Sequence, residues 1–412
     1  VSSYENRKPS PRPPPQQTLR VGSFVALCLV VAAFNLRPAL TGLATLLTEV
    51  QNALALNSFW TGALTTAPVL CFGLTGPFAP LLASRLGLER AICLLFLLLA
   101  ASLGLRALSH PSAMAASTLA AGAAIGMAGV LLPVVIRRDF PNRLGLMTGL
   151  YTMVLSVGGA SAAGLTPMLE RASGSWTTAL AAWSIPAVIA AILWGILARA
   201  SVATIRSAKP TRFAALMGDR VAWSVTAFMG LQAGLAFVVL GWLPTLLRDR
   251  GLDNIDAGMM TSTSIMAQTV TALLVPTLAA KRLSPKLLIV LVLASTGAGF
   301  FGLLYAPIAS GHVWAFLLGL GQGGLFGLAL LFISLRSPSP EVAAMLSGMS
   351  QSVGYLGASL CPFAVGLLRD VHHGPEWPSV LILAITLLCL RFGFQAARPG
   401  YVLAASEGSV RN

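Results

Sequence analysis

The chain has 412 residues, of which 56% are hydrophobic and 10% charged, with a net charge of +14. A soluble protein of this length would carry about 25% charged residues, so the composition excludes an ordinary soluble enzyme and points to a polytopic membrane protein. The excess of basic residues could suit nucleic acid, and its placement along the chain decides against that.

Residues 1–20 are Pro-rich and polar and read as a disordered cytoplasmic tail. The apolar run that follows is too long for a signal-peptide core and lacks an A-x-A site, so it is expected to stay as a first helix. Runs of spanning length lie at about 21–48, 57–84, 91–108, 112–136, 143–168 and 176–198, and then at 220–247, 255–280, 287–308, 312–335, 341–368 and 376–397. The sequence therefore predicts an N-terminal six-helix bundle over 21–198, a cytoplasmic linker over 199–219, a C-terminal six-helix bundle over 220–397 and a cytoplasmic tail over 398–412. With both termini placed inside, 20 of the 27 Lys and Arg fall on inner segments and 5 on outer breaks, as the positive-inside rule requires. The basic charge is topology, and no nucleic-acid partner is expected.

A shift of 199 positions superposes Gly122 on Gly321, Arg137 on Arg336, Pro141 on Pro340, Gly149 on Gly348 and Gly158 on Gly357. A shift of six helices preserves orientation, so the halves are parallel repeats, with a solute site expected near mid-membrane between them. The fold class predicted is an all-α membrane protein of twelve transmembrane helices in two parallel six-helix repeats.

The first run carries Phe34-Asn35-Leu36-Arg37-Pro38 near its centre. A guanidinium at that depth costs from roughly 2.5 to more than 10 kcal/mol against lipid, so Arg37 must face protein or water. Pro38 has no N–H to give the carbonyl of Phe34, which weakens the helix beside this charge. A planar, permanently charged fork of donors next to a break suggests an anion site. The competing reading has Arg37 snorkelling outward or bonding the freed carbonyl. Thr41 shares the face of Arg37 and is a candidate ligand; Asn35 points elsewhere and reads first as a helix-packing contact, with solute binding as the alternative.

Four glutamines lie deep in the second half. Gln232, Gln322 and Gln351 are candidates for the solute cavity, whereas Gln268 reads as packing. Tyr151 and Tyr355 could close over a solute or bond a neighbouring helix. Trp242 reads as an interface anchor. All 13 Asp and Glu fall at helix ends, in loops or in tails, leaving no carboxylate at mid-depth of the kind a proton-coupled drug exporter uses. His372-His373 reads as a solvated outer loop rather than a metal site. No nucleotide motif or nucleophile–base pair occurs, so neither an enzyme nor a cofactor is expected.

The segments NLRPALTGL, GVLLPVVIRRDFP, FMGLQ with GWLP, and GQGGLFGLALLFISLRS with LSGMSQSVGYL resemble the cyanate and 2-nitroimidazole porter family of the major facilitator superfamily. The resemblance implies alternating access to a central cavity lined by the first, fourth, seventh and tenth helices. The superfamily's usual G-x-x-x-D-R-x-G-R-R loop survives here as Pro80, Ser84, Arg85, Gly87 and Arg90, without its carboxylate. The expected function is transport of a small anionic or polar solute, cyanate- or nitroimidazole-like, across the inner membrane by a monomer. A drug/proton antiporter of the same fold and a membrane receptor or scaffold are the alternatives.

Overall fold

The computed structural model describes residues 15–200, 216–281, 283–371 and 376–403. Twelve helices among these are long and apolar enough to span a membrane: α1 (Ser23–Thr45), α2 (Phe59–Leu86), α3 (Leu88–Leu108), α4 (Pro111–Asp139), α5 (Pro141–Ser173), α6 (Trp176–Arg199), α7 (Arg220–Asp249), α8 (Asn254–Ala279), α9 (Pro285–Tyr305), α10 (Ile308–Leu335), α11 (Val342–Leu368) and α12 (Glu376–Ala396). The twelve spans expected from the sequence each have a helix here. Helix is the answer because every backbone N–H must be bonded within its own segment when lipid offers no partner.

The helices form two bundles, each with its own apolar core, one built around Trp194 and Phe96 and the other around Phe228, Trp242 and Phe332. Across the divide α5 packs on α8 and α2 packs on α11. A six-helix shift converts α5 into α11 and α2 into α8, so the repeat seen in the sequence also relates the two seams between the halves. At one seam Gly258 lies against the Ala163 carbonyl, and at the other Gly62 meets Gly366 backbone to backbone. Side chains at these positions would hold the helices apart.

Proline and glycine bend the spans where the sequence supplies them. α2 breaks into a 3₁₀ turn at Gly76–Phe78, and Gly87, at φ 88°, makes the tight corner into α3. That corner carries a feature absent from the sequence reading of the loop. Glu89, only 8% exposed, pairs with Arg138 of α4 at 2.7 Å, so a carboxylate is present two residues beyond the glycine.

The regions expected to be tails and linker are partly structured. A helix already runs from Pro15, inside the segment read as tail. Residues 201–215 of the linker fall outside the description, as do 404–412 and the His372-His373 pair. Leu216 is fully buried, and Asp219 caps α7 by accepting from the Val221 and Ala222 amides while also accepting from the Leu403 amide. Arg336 donates to the carbonyls of Ala396 and Ala397, and the Val402 amide donates to the Arg336 carbonyl. The stretch 398–403 is therefore docked on the C-terminal bundle.

Trp242 corrects the sequence reading. It is fully buried and donates through Nε1 to the Pro362 carbonyl at 2.9 Å, so it joins α7 to α11 instead of anchoring at a membrane interface.

Candidate functional site

The site starts from the break in α1. The helix ending at Phe34 closes with the short-range bonds of Asn35 N–H to Ala32 O and Leu36 N–H to Ala33 O. A new helix begins at Pro38, whose missing N–H costs nothing at a helix start. Gly158 of α5 lies directly on the Phe34 carbonyl, with no room for a Cβ between them. Gly159, the next residue, passes under the aliphatic stem of Arg37. Two adjacent glycines thus admit the break and let the arginine cross α5.

The guanidinium emerges at α8, where Nη1 donates to Gln268 Oε1 at 3.4 Å. Arg37 has no carboxylate partner among the described residues. Tyr151 and Tyr355 both lie within electrostatic reach of it. A cavity opens here between the bundles, walled by Arg37, Thr152 and Ser156 on one side and by Gln232, Gln268, Gln322 and Tyr355 on the other. Phe237 and Phe326 supply its apolar surface. The ring of Tyr355 stands edge-on to Phe237 with centroids 5.9 Å apart.

The glutamine amides are pinned. Gln232 Nε2 donates to the Met229 carbonyl at 3.1 Å, and Gln322 Nε2 donates to the Leu235 carbonyl at 3.2 Å. Gln322 Oε1 and Gln268 Nε2 are buried and have no hydrogen-bond partner among the described residues.

The remaining candidates are placed differently. Asn35 is 2% exposed and donates to the carbonyls of Val31 and Pro186, joining α1 to α6. Thr41 is 1% exposed and donates to the Gly159 carbonyl at 3.0 Å. Gln351 donates to Ser347 one turn back along α11. None of these three lines the cavity, and Tyr151 stands near Arg37 without forming its wall. Asn35 and Thr41 are buried donors already satisfied by carbonyls of neighbouring helices, and Gln351 is bonded within its own helix, so none of the three needs a solute. Gln268 is the reverse case. Sequence reasoning assigned it to packing, yet it faces Arg37 on the cavity wall.

Arg106 was also missed. Counted from sequence as an outer-loop charge, it is 2% exposed and donates to Ser117 Oγ and the Ala39 carbonyl, each at 3.0 Å. It therefore braces the α1 segment just after the break. The shortness of the connection between α3 and α4 was the available signal.

On the side away from the 199–220 connection, the halves are held by polar contacts. Glu49, in a short helix after α1, accepts from Arg248 of α7 at 2.8 Å and from Asn254 of α8 at 2.7 Å. Leu40, Leu43, Leu64 and Leu240 line a small apolar pocket that shares Phe237 and Leu240 with the cavity.

Two six-helix bundles with a cavity between them that carries Arg37 and three glutamines fit a known architecture. The model of the Major Facilitator Superfamily matches residues 23–362. The chain belongs to the major facilitator superfamily. It is 34% identical over 385 residues to the uncharacterized transporter YycB of Bacillus subtilis, covering 92% of this chain and 94% of that protein. It is 32% identical over 371 residues to the 2-nitroimidazole transporter of Escherichia coli, covering 90% and 94%. The cyanate transport protein CynX of the same organism is 30% identical over 371 residues, covering 89% and 96%. In fold, the chain is similar to an inward-facing bacterial homologue of the lysosomal transporter Spinster, with a TM-score of 0.72 at 16% identity, covering 92% of this chain and 97% of that one. Membership in this superfamily makes the chain a multi-pass membrane protein of a transporter family.

Proposed function

We propose that this chain is a secondary transporter that moves a small anionic or polar solute across the inner membrane by alternating access, with Arg37 as its anion site and both termini cytoplasmic. The observation that carries the reading is the pairing of Arg37 with a neutral amide oxygen at the wall of a cavity between the halves. A half-buried guanidinium that faces a cavity and has no carboxylate partner leaves a positive potential, and a negatively charged solute would neutralise it.

Gln232, Gln268, Gln322 and Tyr355 supply neutral polar groups around that charge, and Thr152 and Ser156 complete the rim. The relatives named for cyanate and 2-nitroimidazole transport are consistent with a solute of this size. Affinity is bounded by atom count. Three heavy atoms at no more than ~1.5 kcal/mol each give ~4.5 kcal/mol, a Kd near millimolar, whereas a ring gains more contacts. None of the residues lining the cavity among those described is acidic, which disfavours a proton-driven drug antiporter.

The test is uptake of labelled cyanate and 2-nitroimidazole into proteoliposomes holding wild-type protein, Arg37→Lys or Arg37→Ala, with and without an imposed proton gradient. Uptake that falls in the lysine variant and vanishes in the alanine variant is expected. Full uptake by Arg37→Ala removes the anion site, and flux of none of these solutes, with gradient-driven extrusion of lipophilic drugs, favours the antiporter.

A further inference from the structure

Two spaces meet at one side chain. Phe237 lines the cavity that holds Arg37 and also the apolar pocket of Leu40, Leu43, Leu64 and Val69. Among the described residues, Leu240 is the only other one common to both. Leu240 is buried, whereas Phe237 is half-buried and keeps accessible surface.

The order along two segments gives the direction from one space to the other. The stretch from the break in α1 onward carries Arg37, Leu40, Leu43 and then Glu49, and α7 carries Phe237, Leu240 and then Arg248. Each passes from cavity to pocket and on to the ion pair that joins the halves. The pocket therefore lies on the Glu49 side of the cavity, with Phe237 at the boundary.

The ring is held there from both halves. Its centroid is 5.9 Å from that of Phe72 in α2 and 5.9 Å from that of Tyr355 in α11, and those two are 6.5 Å apart. Aromatic pairs at this spacing attract one another. Beyond the ring the pocket is poorly suited to charge. Its one polar side chain, Thr65, already donates to the Gly62 carbonyl at 2.9 Å. An alkyl group gains from burial among such residues, and a second charge loses its hydration without return.

We infer that Phe237 sets the upper size of the solute, a compact monoanion with no alkyl extension opposite its charged group. With the charge at Arg37, the apolar part ends at this ring. Removing the ring would join the two spaces, and the pocket would then accept an apolar extension. This inference rests on the reading of Arg37 as the anion site.

The experiment compares uptake of benzoate, 4-ethylbenzoate and terephthalate in proteoliposomes of the full chain, with cyanate reporting the anion site alone. Wild-type protein is expected to take up benzoate at least about tenfold faster than 4-ethylbenzoate at limiting concentration, the lower range for a misfitted alkyl group. Phe237→Ala is expected to bring that ratio near one. Phe237→Leu should fall part-way, and it supplies the readout if the alanine variant does not fold. Phe72→Ala, which removes a neighbour of the ring and leaves the boundary in place, is expected to keep most of the ratio. Terephthalate should stay excluded throughout. A wild-type ratio near one, or a ratio unaltered in both Phe237 variants, overturns the inference. So does a Phe72→Ala effect as large as that of Phe237→Ala, which would assign selection to the spacing of the halves. Entry of terephthalate together with 4-ethylbenzoate overturns the apolar pocket. In each of these cases, cyanate uptake lost in Arg37→Ala leaves the anion site standing. If wild type takes up none of the three ring acids, the inference fails and cyanate alone decides the anion site. Uptake of benzoate and cyanate that is indifferent to Arg37→Ala overturns the underlying reading as well.

Discussion

Glu49 and Arg248 form an ion pair at 2.8 Å across the two halves, tying the segment after α1 to the end of α7. Their side chains are 20% and 24% exposed, so the charges are partly withdrawn from water, and Asn254 adds a second bond to the same carboxylate. In an alternating-access cycle this contact must break for the face away from the linker to open. Glu49→Gln is expected to weaken the closed state by about 1–2 kcal/mol, a shift of roughly 5–30-fold in the closed-to-open ratio. The measurement is thiol labelling of Leu43→Cys, behind the latch, in a background lacking the five native cysteines. Labelling that rises with Glu49→Gln and falls again in the Glu49→Arg, Arg248→Glu exchange bears out the latch; an unchanged rate refutes it.

Gly323 and Gly129 make opposite predictions from the same substitution. A Cβ at Gly323 would overlap the Gln268 carbonyl oxygen, which belongs to the backbone and cannot rotate away. Gly323→Ala is expected to push α10 from α8, displace Gln268 from Arg37 and lower transport by tenfold or more, about 1.4 kcal/mol. Gly129 of α4 has nothing within 4 Å of an added Cβ. Gly129→Ala is expected to leave transport unaltered and to raise thermal stability slightly, by up to ~1 kcal/mol from the helix backbone alone. Uptake and the melting temperature in detergent check both.

How much of this was legible in the sequence follows from what lipid demands. A spanning helix is apolar on nearly every side, so runs, order and the parallel repeat stand out, while the direction each side chain faces does not. Arg37 was visible because Pro38 marks the break beside it. Gln268 was not, because its meeting with Arg37 depends on Gly158 and Gly159 letting the arginine pass across α5. Asn35 and Thr41 looked equally polar from sequence, and only their distances to the Pro186 and Gly159 carbonyls assign them to packing. Repeat positions also diverge: Gly158 admits the Phe34 carbonyl, whereas its counterpart Gly357 has no neighbour within 4 Å of an added Cβ.

Asn35→Ala separates packing from binding. The variant loses a bond between α1 and α6 and is expected to cost about 0.6–1.7 kcal/mol of stability, with the ranking of solutes unaltered. A changed ranking would show that Asn35 reaches the solute. Melting temperature and competition between solutes give the two readouts separately.

Arg106 is the severest test of how the break is held. Its guanidinium is buried in the N-terminal bundle, and its two bonds join α4, through Ser117, to the α1 segment that follows Arg37. Truncation to Ala would leave a void, an unpartnered Ser117 hydroxyl and a carbonyl with one lone pair unused. The expected loss is about 2–3 kcal/mol, from cavity and lost hydrogen bonds together. Arg106→Lys keeps the charge but cannot reach both acceptors from one planar fork, so it is expected to lie between Ala and wild type. Because Arg106 touches α1 two residues from Arg37, its variants should also lower uptake in the fraction that remains folded. Melting curves in detergent, paired with uptake normalised to monodisperse protein, distinguish that from mere loss of protein. Full uptake by folded Arg106→Ala would mean that the break keeps its geometry from α5 and Pro38 alone.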